Sequence, residues 1–222
     1  MSDDDSSYSD DAFYAWMEAM HRLTSEQATA RSWRRGRYSF AHRLGEALVG
    51  STDDQPALVG PVVYGVWLRW GLLYIGQTTK AEPRLRDLAV GESHHLPNTF
   101  PPEIWHKVLV VAWPELPQAR PLAENLGPDV VGLALEHALQ ERLCPLVNSE
   151  RRTPEGGWRE VAWGGSRSRG ARAVPDVVDL VRAVGEVWDA ASAQPSERSE
   201  LPPSCRLVFP GQLLSQKHSS TL

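Results

Sequence analysis

Tyr64, Tyr74 and Arg84 follow one another at intervals of ten residues. Held together, two phenols and a guanidinium can pass a proton through the hydroxyls and brace a phosphate on the arginine's planar fork. An unperturbed phenol, with a pKa near ~10, is a poor base at neutral pH, so the first role needs a cation or a metal-bound water beside it. Further along, Glu136 stands at the border of an apolar helical stripe formed by Val131, Leu135, Leu139 and Leu143. A carboxylate at such a border is partly buried and needs a partner, which Arg142 or His137 could supply. Two tyrosines in strands are, by themselves, equally a packing pair.

The elements that must position these groups are legible. Residues Gly60 to Leu68 and Leu72 to Thr78 are β-rich runs separated by Arg69, Trp70 and Gly71. A three-residue loop ending in glycine implies a type I turn with a bulge, the glycine left-handed. Pairing Leu68 with Leu72 then sets Val66 opposite Tyr74 and Tyr64 opposite Gly76, with the tyrosines as diagonal neighbours roughly 7–8 Å apart on one face. The other face, Val63, Trp67, Leu73 and Ile75, is the core side. Arg84 falls in a short helix over residues 81–90 with Pro83 near its start. Residues 128–145 are the strongest helical pattern, 106–113 read as a third strand, and Asn148 follows the helix end, where asparagine is common.

Together these pieces resemble the GIY-YIG nuclease superfamily. Val62 to Tyr64 stands in the GIY position, Tyr74 to Gly76 is an intact YIG, and Arg84, Glu136 and Pro145 to Asn148 follow in family order. The resemblance covers about Gly60 to Asn148. It implies an α/β (α+β) unit, a small three-stranded antiparallel sheet flanked by helices, with helical extensions at both ends. It implies a phosphodiester hydrolase that uses Mg²⁺ or Mn²⁺ held by Glu136. Tyr64 would be the base or proton relay, Tyr74 would hold the water or phosphate, Arg84 would brace the scissile phosphate, and Asn148 would tie its loop to the site. Leu88 stands where many members carry His or Tyr four residues after the arginine. Lys80, His94 and His95 are the candidate auxiliary groups.

Composition sets the remaining limits. Of 222 residues 41% are apolar, enough for one core and a small accessory unit. No run approaches the roughly 18 apolar residues of a spanning helix, and the start lacks signal-peptide regions, which makes the cytoplasm the expected location. Two cysteines form no framework. Net charge is −5, yet residues 1–20 carry Asp3, Asp4, Asp5, Asp10, Asp11 and Glu18 with no Lys or Arg, so setting those six acids aside leaves +1 for the rest. Basic clusters follow. One holds Arg31, Arg34, Arg35, Arg37 and Arg43 among Trp33, Tyr38 and Phe40; the other, over residues 151–172, includes Arg151, Arg152, Arg167 and Arg169. Arginine beside aromatics suits phosphate contact and base stacking, and equally a solvated helix face.

Along the chain, residues 1–9 read as a disordered acidic start and 10–58 as a helical extension, broken at Gly36, with a linker. Residues 59–150 read as the nuclease-like domain, 151–191 as an Arg/Gly-rich loop and a helix, and 192–222 as a loose tail. The expectation is a compact restriction-type endonuclease acting on double-stranded DNA as a homodimer. The alternatives are a catalytically lapsed DNA-binding or regulatory module, and a nicking or branched-structure nuclease.

Overall fold

A computed structural model describes residues 4–52, 55–91, 96–148, 168–193 and 201–215. The protein is mixed α/β. Helices α1 (Asp4–Ser25) and α2 (Gln27–Val49) precede the hairpin of β1 (Val62–Leu68) and β2 (Gly71–Thr78). Then come α3 (Ala81–Leu88), α4 (Leu96–Thr99), β3 (Lys107–Val111), α5 (Ala119–Leu126), α6 (Pro128–Leu143), α7 (Arg169–Arg172), α8 (Val178–Ser192), β4 (Cys205–Val208) and α9 (Pro210–Ser215). The chain divides into two compact units, Met1–Ala41 and His42–Leu222.

The first unit departs from expectation at both ends. Helix α1 begins at Asp4, within the stretch read as disordered. Helix α2 runs through Gly36 without a break, because one interior glycine costs only about 1 kcal/mol. The irregularity falls at Glu26 instead, where one helix ends with Glu26 N on Arg22 O at 3.1 Å and the next begins with Ala30 N on Glu26 O at 2.9 Å.

The second unit is built on an antiparallel sheet of four strands, ordered β2-β1-β3-β4, where three were expected. The added strand comes from the segment read as tail. Leu207 pairs with Leu109 and Cys205 with Val111. Buried Arg206 donates to the carbonyls of Gly50 at 2.6 Å and Pro56 at 2.9 Å, fastening the linker to β4. A four-residue strand among prolines carries too little periodicity to announce itself.

One face of the sheet meets α6 and α8 in a cluster of Val63, Trp67, Ile75, Leu109, Val111, Val131, Leu135, Leu139, Leu180, Val184 and Trp188. Gly65 admits Trp188, since a Cβ there would meet its ring at 2.4 Å. The helix of residues 178–192 is therefore part of the core. Helix α3 covers the other face. Leu85 and Leu88 are fully buried, and Gly45 in the last turns of α2 lies so close to α3 that a Cβ would touch the Arg86 backbone at 2.9 Å. Arg86 pairs with Glu46 across this contact. Strand β1 is thus buried along its whole length.

The hairpin keeps the expected tyrosine register by another route. Tyr64 opposes Gly76 and Val66 opposes Tyr74, but Trp67 opposes Leu72 and Leu68 opposes Gly71, with the register shift between Val66 and Trp67. The loop is thus the two residues Arg69 and Trp70, and Gly71, at φ 157°, is not the left-handed residue expected. A two-residue loop alone would send the tyrosines to opposite faces, and the extra residue of the bulge restores them. It also brings Leu72, rather than Leu73, opposite Trp67 and against the core cluster.

Candidate functional site

Four elements bring the predicted residues together. Tyr64 projects from β1, Tyr74 from β2, Arg84 from α3 and Glu136 from α6. The tyrosine rings lie 6.1 Å apart, tilted by 40°. Arg84 Nε donates to the Tyr64 hydroxyl oxygen at 3.2 Å, and a hydrogen bond links the two hydroxyls. Tyr64 is fully buried, whereas Tyr74, Arg84 and Glu136 are half-buried.

The Tyr64 ring lies flat across Gly76, the residue opposite it in the sheet. A Cβ on Gly76 would stand 2.6 Å from both the Tyr64 Cζ and its hydroxyl oxygen, and 2.8 Å from Tyr74 Cε1. The glycine of the YIG triplet is needed here for close approach, without any unusual backbone conformation.

Burial pushes the Tyr64 phenol up, opposed by the charge and hydrogen bond of Arg84, while Glu136 raises it further. Tyr74 is also pushed above the ordinary phenol range, by burial first and then by Tyr64 and Glu136. Burial disfavours the charge on Arg84, but its contacts with Tyr64 and Tyr74 more than offset that and hold it protonated. At neutral pH the cluster is two neutral phenols, a cation and a carboxylate that both phenols sense. Linkage has a definite sign here. A phenol whose pKa is higher folded than unfolded adds stability below pH ~10, and that stability is lost as pH rises beyond it. In an alkaline titration followed at 295 nm, the ionisation phase lost in a Tyr64→Phe, Tyr74→Phe variant should lie above pH ~10 and coincide with loss of the circular dichroism signal. Ionisation of both phenols near pH ~10 with the fold intact would contradict the buried arrangement.

Asn148 serves the backbone. Its Oδ1 accepts from Ile75 N at 3.0 Å and its Nδ2 donates to Ile75 O at 2.9 Å. The amide thereby imitates a neighbouring strand at the open edge of β2, between Tyr74 and Gly76, and Leu146 N and Val147 N extend the pairing to the carbonyls of Leu72 and Leu73. Asn148 is a positioning residue.

Gln140 was not singled out from sequence. It lies one helical turn after Glu136, and its Nε2 donates both to Ile75 O at 3.3 Å and to Glu136 Oε1 at 3.2 Å. Its signal was the four-residue spacing on one helix face. The partners considered for Glu136 are engaged elsewhere as well: Arg142 bonds Asp189 at 2.6 Å, and His137 Nε2 meets Ser168 Oγ at 3.3 Å.

The other predicted residues are dispersed. Lys80 is exposed at the start of α3, with its backbone NH on the Thr78 hydroxyl at 3.1 Å. Leu88 is core, so that position brings the site no polar group. Arg169 is exposed on α7, which packs on α6 with Gly170 against Leu133. Arg31, Arg34 and Arg35 are exposed on α2, and Arg37 lies over the Trp33 ring at 5.5 Å. His94, His95, Arg151, Arg152 and Arg167 lie outside the described residues.

Among the described residues no three of His, Cys, Asp and Glu come together to hold a metal ion, and no helix is long and apolar enough to cross a membrane. The donor set fits one kind of divalent site: a single carboxylate, Glu136, oriented by Gln140, with water and substrate oxygens completing the shell of a Mg²⁺ ion. Neither a family model, nor a curated protein, nor a solved structure matches the chain.

Proposed function

We propose that the protein is a Mg²⁺-dependent endonuclease of the GIY-YIG type that hydrolyses phosphodiester bonds in double-stranded DNA, as a compact restriction-type enzyme. The observation that carries this reading is the convergence of Tyr64, Tyr74 and Arg84 from three separate elements onto one hydrogen-bonded cluster, with Glu136 of a fourth element close enough for its charge to act on both phenols. A packing pair of tyrosines needs neither a half-buried guanidinium bonded to a phenol oxygen nor a carboxylate within its field.

The side chains divide the task. Glu136 would hold the Mg²⁺ ion, oriented by Gln140, and the bound ion would supply positive charge to the phosphate and acidity to a water. Arg84, charged beside the tyrosines, would neutralise a phosphate oxygen as negative charge grows on it. Tyr64 is protonated in the resting site, so it would act as a relay: it would accept the proton of the attacking water as its own proton leaves through the Tyr74 hydroxyl to solvent. Arg84 stabilises the oxygen during that exchange. Tyr74, less buried and bonded to Tyr64, would orient the water. Exposed Arg169 would contribute phosphate contact on the α6 side.

The test is cleavage of a mixed-sequence plasmid with Mg²⁺, beside an EDTA control and Tyr64→Phe. Wild type should give discrete fragments, none should form in EDTA, and Tyr64→Phe should be slower by about 10²-fold or more. A folded Tyr64→Phe protein of full activity would remove Tyr64 from the chemistry. Nicked circles alone would indicate strand or structure specificity. DNA retained in a gel but never cut would favour the lapsed binding module, the reading that core-buried Leu88 supports.

A further inference from the structure

Arg69 and Trp70, the two residues that turn the hairpin, are not residues that a turn selects. Tight turns favour Gly, Pro, Asn, Asp and Ser, and an exposed indole adds nothing to a core. Trp70 is nevertheless 87% exposed, more than any other large apolar side chain among the described residues. The exposed guanidinium of Arg69 forms no hydrogen bond or ion pair among those residues. Both side chains border a cavity of about 410 Å³ at the hairpin tip, whose other walls include His106, Lys107 and the end of α8 at Ser192 and Ala193.

The polar groups of this cavity suit negative charge. No acid is among the described residues that line it. The end of α8 would by itself repel an anion, since a helix carries partial negative charge at its C-terminus, but Lys107 offsets that effect. Its Nζ donates to the carbonyls of Ala191 at 2.5 Å and Ser192 at 3.2 Å. The His106 ring, edge-on to Phe209 at 5.9 Å, is held below the usual imidazole pKa by burial first and then by the charges of Lys107 and Arg69. A neutral imidazole can both donate and accept a hydrogen bond. Positive charge from two strands and the hairpin loop thus converges on one hollow beside an open indole face.

Ligand chemistry follows from size and from these groups. The volume lies within the range of small-molecule sites and is more than a bare phosphate fills. Trp70 offers a flat face to a ring, and Arg69 a planar fork to a phosphate. A carboxylate ligand would use the arginine and leave the indole bare.

We propose that the hairpin tip is a nucleotide site, in which a base stacks on Trp70 and its phosphate is held by Arg69. Arg69 follows Tyr64 by five residues, about 16 Å at 3.3 Å per residue of strand, so the site stands apart from the tyrosine cluster. Its occupant is a free nucleotide or an unstacked nucleotide of a DNA strand, which present the same chemistry. The site goes beyond the proposed cleavage and does not rest on it, because occupancy is read without metal or turnover.

The experiment is a fluorescence titration of the full chain in EDTA, with ethenoadenosine monophosphate, with ethenoadenosine lacking the phosphate, and with a single-stranded oligonucleotide carrying one ethenoadenine. Stacking on the indole should quench the bound probe saturably. Trp70→Ala should abolish the quench and weaken binding by about tenfold, whereas Arg69→Ala should weaken the monophosphate by about tenfold and leave the nucleoside unchanged. Arg120→Ala, at an exposed arginine of α5, should change neither. Because Arg69 and Trp70 are exposed loop residues, the thermal unfolding midpoint should stay in place in both variants. Quenching of the monophosphate assigns the site to free nucleotides, and quenching confined to the oligonucleotide assigns it to a DNA strand; either supports the proposal. No saturable quenching of any probe, quenching that survives Trp70→Ala, or a loss in Arg69→Ala equal for nucleoside and monophosphate would each overturn it.

Discussion

Glu136→Gln is expected to lower Mg²⁺-dependent cleavage by about 10³-fold or more while leaving DNA retention in EDTA unchanged. The substitution is nearly isosteric and keeps an oxygen for Gln140 Nε2, which now stands 3.2 Å from Glu136 Oε1, so the local packing has no reason to move. What it removes is the one carboxylate that both phenols sense. Two consequences separate this from a structural effect. Binding of Mn²⁺, followed by its electron paramagnetic resonance signal in the presence of uncut DNA, should be lost with the rate. The alkaline ionisation of Tyr64 and Tyr74 should also move down, because a charge that opposed it has gone. Cleavage equal to wild type would end the metal assignment.

The site was more legible in the sequence than its surroundings. The tyrosine register follows from period-two patterning and survives although the turn differs, because the bulge at Val66 and Trp67 compensates for the shorter loop. What patterning could not supply were partners distant in the chain. Arg206 reaches Gly50 and Pro56 from some 150 positions away, and nothing local in Cys205–Val208 distinguishes a sheet strand from a tail. The burial of Tyr64 is of the same kind. Its face of the hairpin reads as the less apolar one, and only the elements packed over it, with Arg84 of α3 on its hydroxyl, turn an exposed phenol into a buried one. Asn148 was legible as a residue able to tie a loop. That its amide would close the edge of β2 at Ile75, sharing the Ile75 carbonyl with Gln140, depends on where α6 ends relative to the sheet.

Gly76→Ala should then be the most informative change outside the polar cluster. The added methyl would lie 2.6 Å from the Tyr64 hydroxyl oxygen, about 1 Å inside a normal contact, and β2 is held on both sides, by β1 and by Asn148, so the ring must give. Moving that ring takes the hydroxyl away from Arg84 Nε. Overpacking of this size costs about 1–3 kcal/mol of stability, and a displacement near 1 Å at a reacting group costs about 10²-fold in rate. Gly60→Ala is the matched control, since a Cβ at Gly60 meets nothing within 4 Å; it should leave both quantities unchanged. The two effects of Gly76→Ala separate in a double-mutant cycle. In the Tyr64→Phe background the stability cost should persist, because the ring remains, whereas the rate cost should largely vanish, because the hydroxyl that was displaced is already absent. Additive rate losses would mean that Gly76 acts on cleavage by some path other than Tyr64. Rate losses that collapse into one would tie the glycine of the triplet to the tyrosine that lies across it.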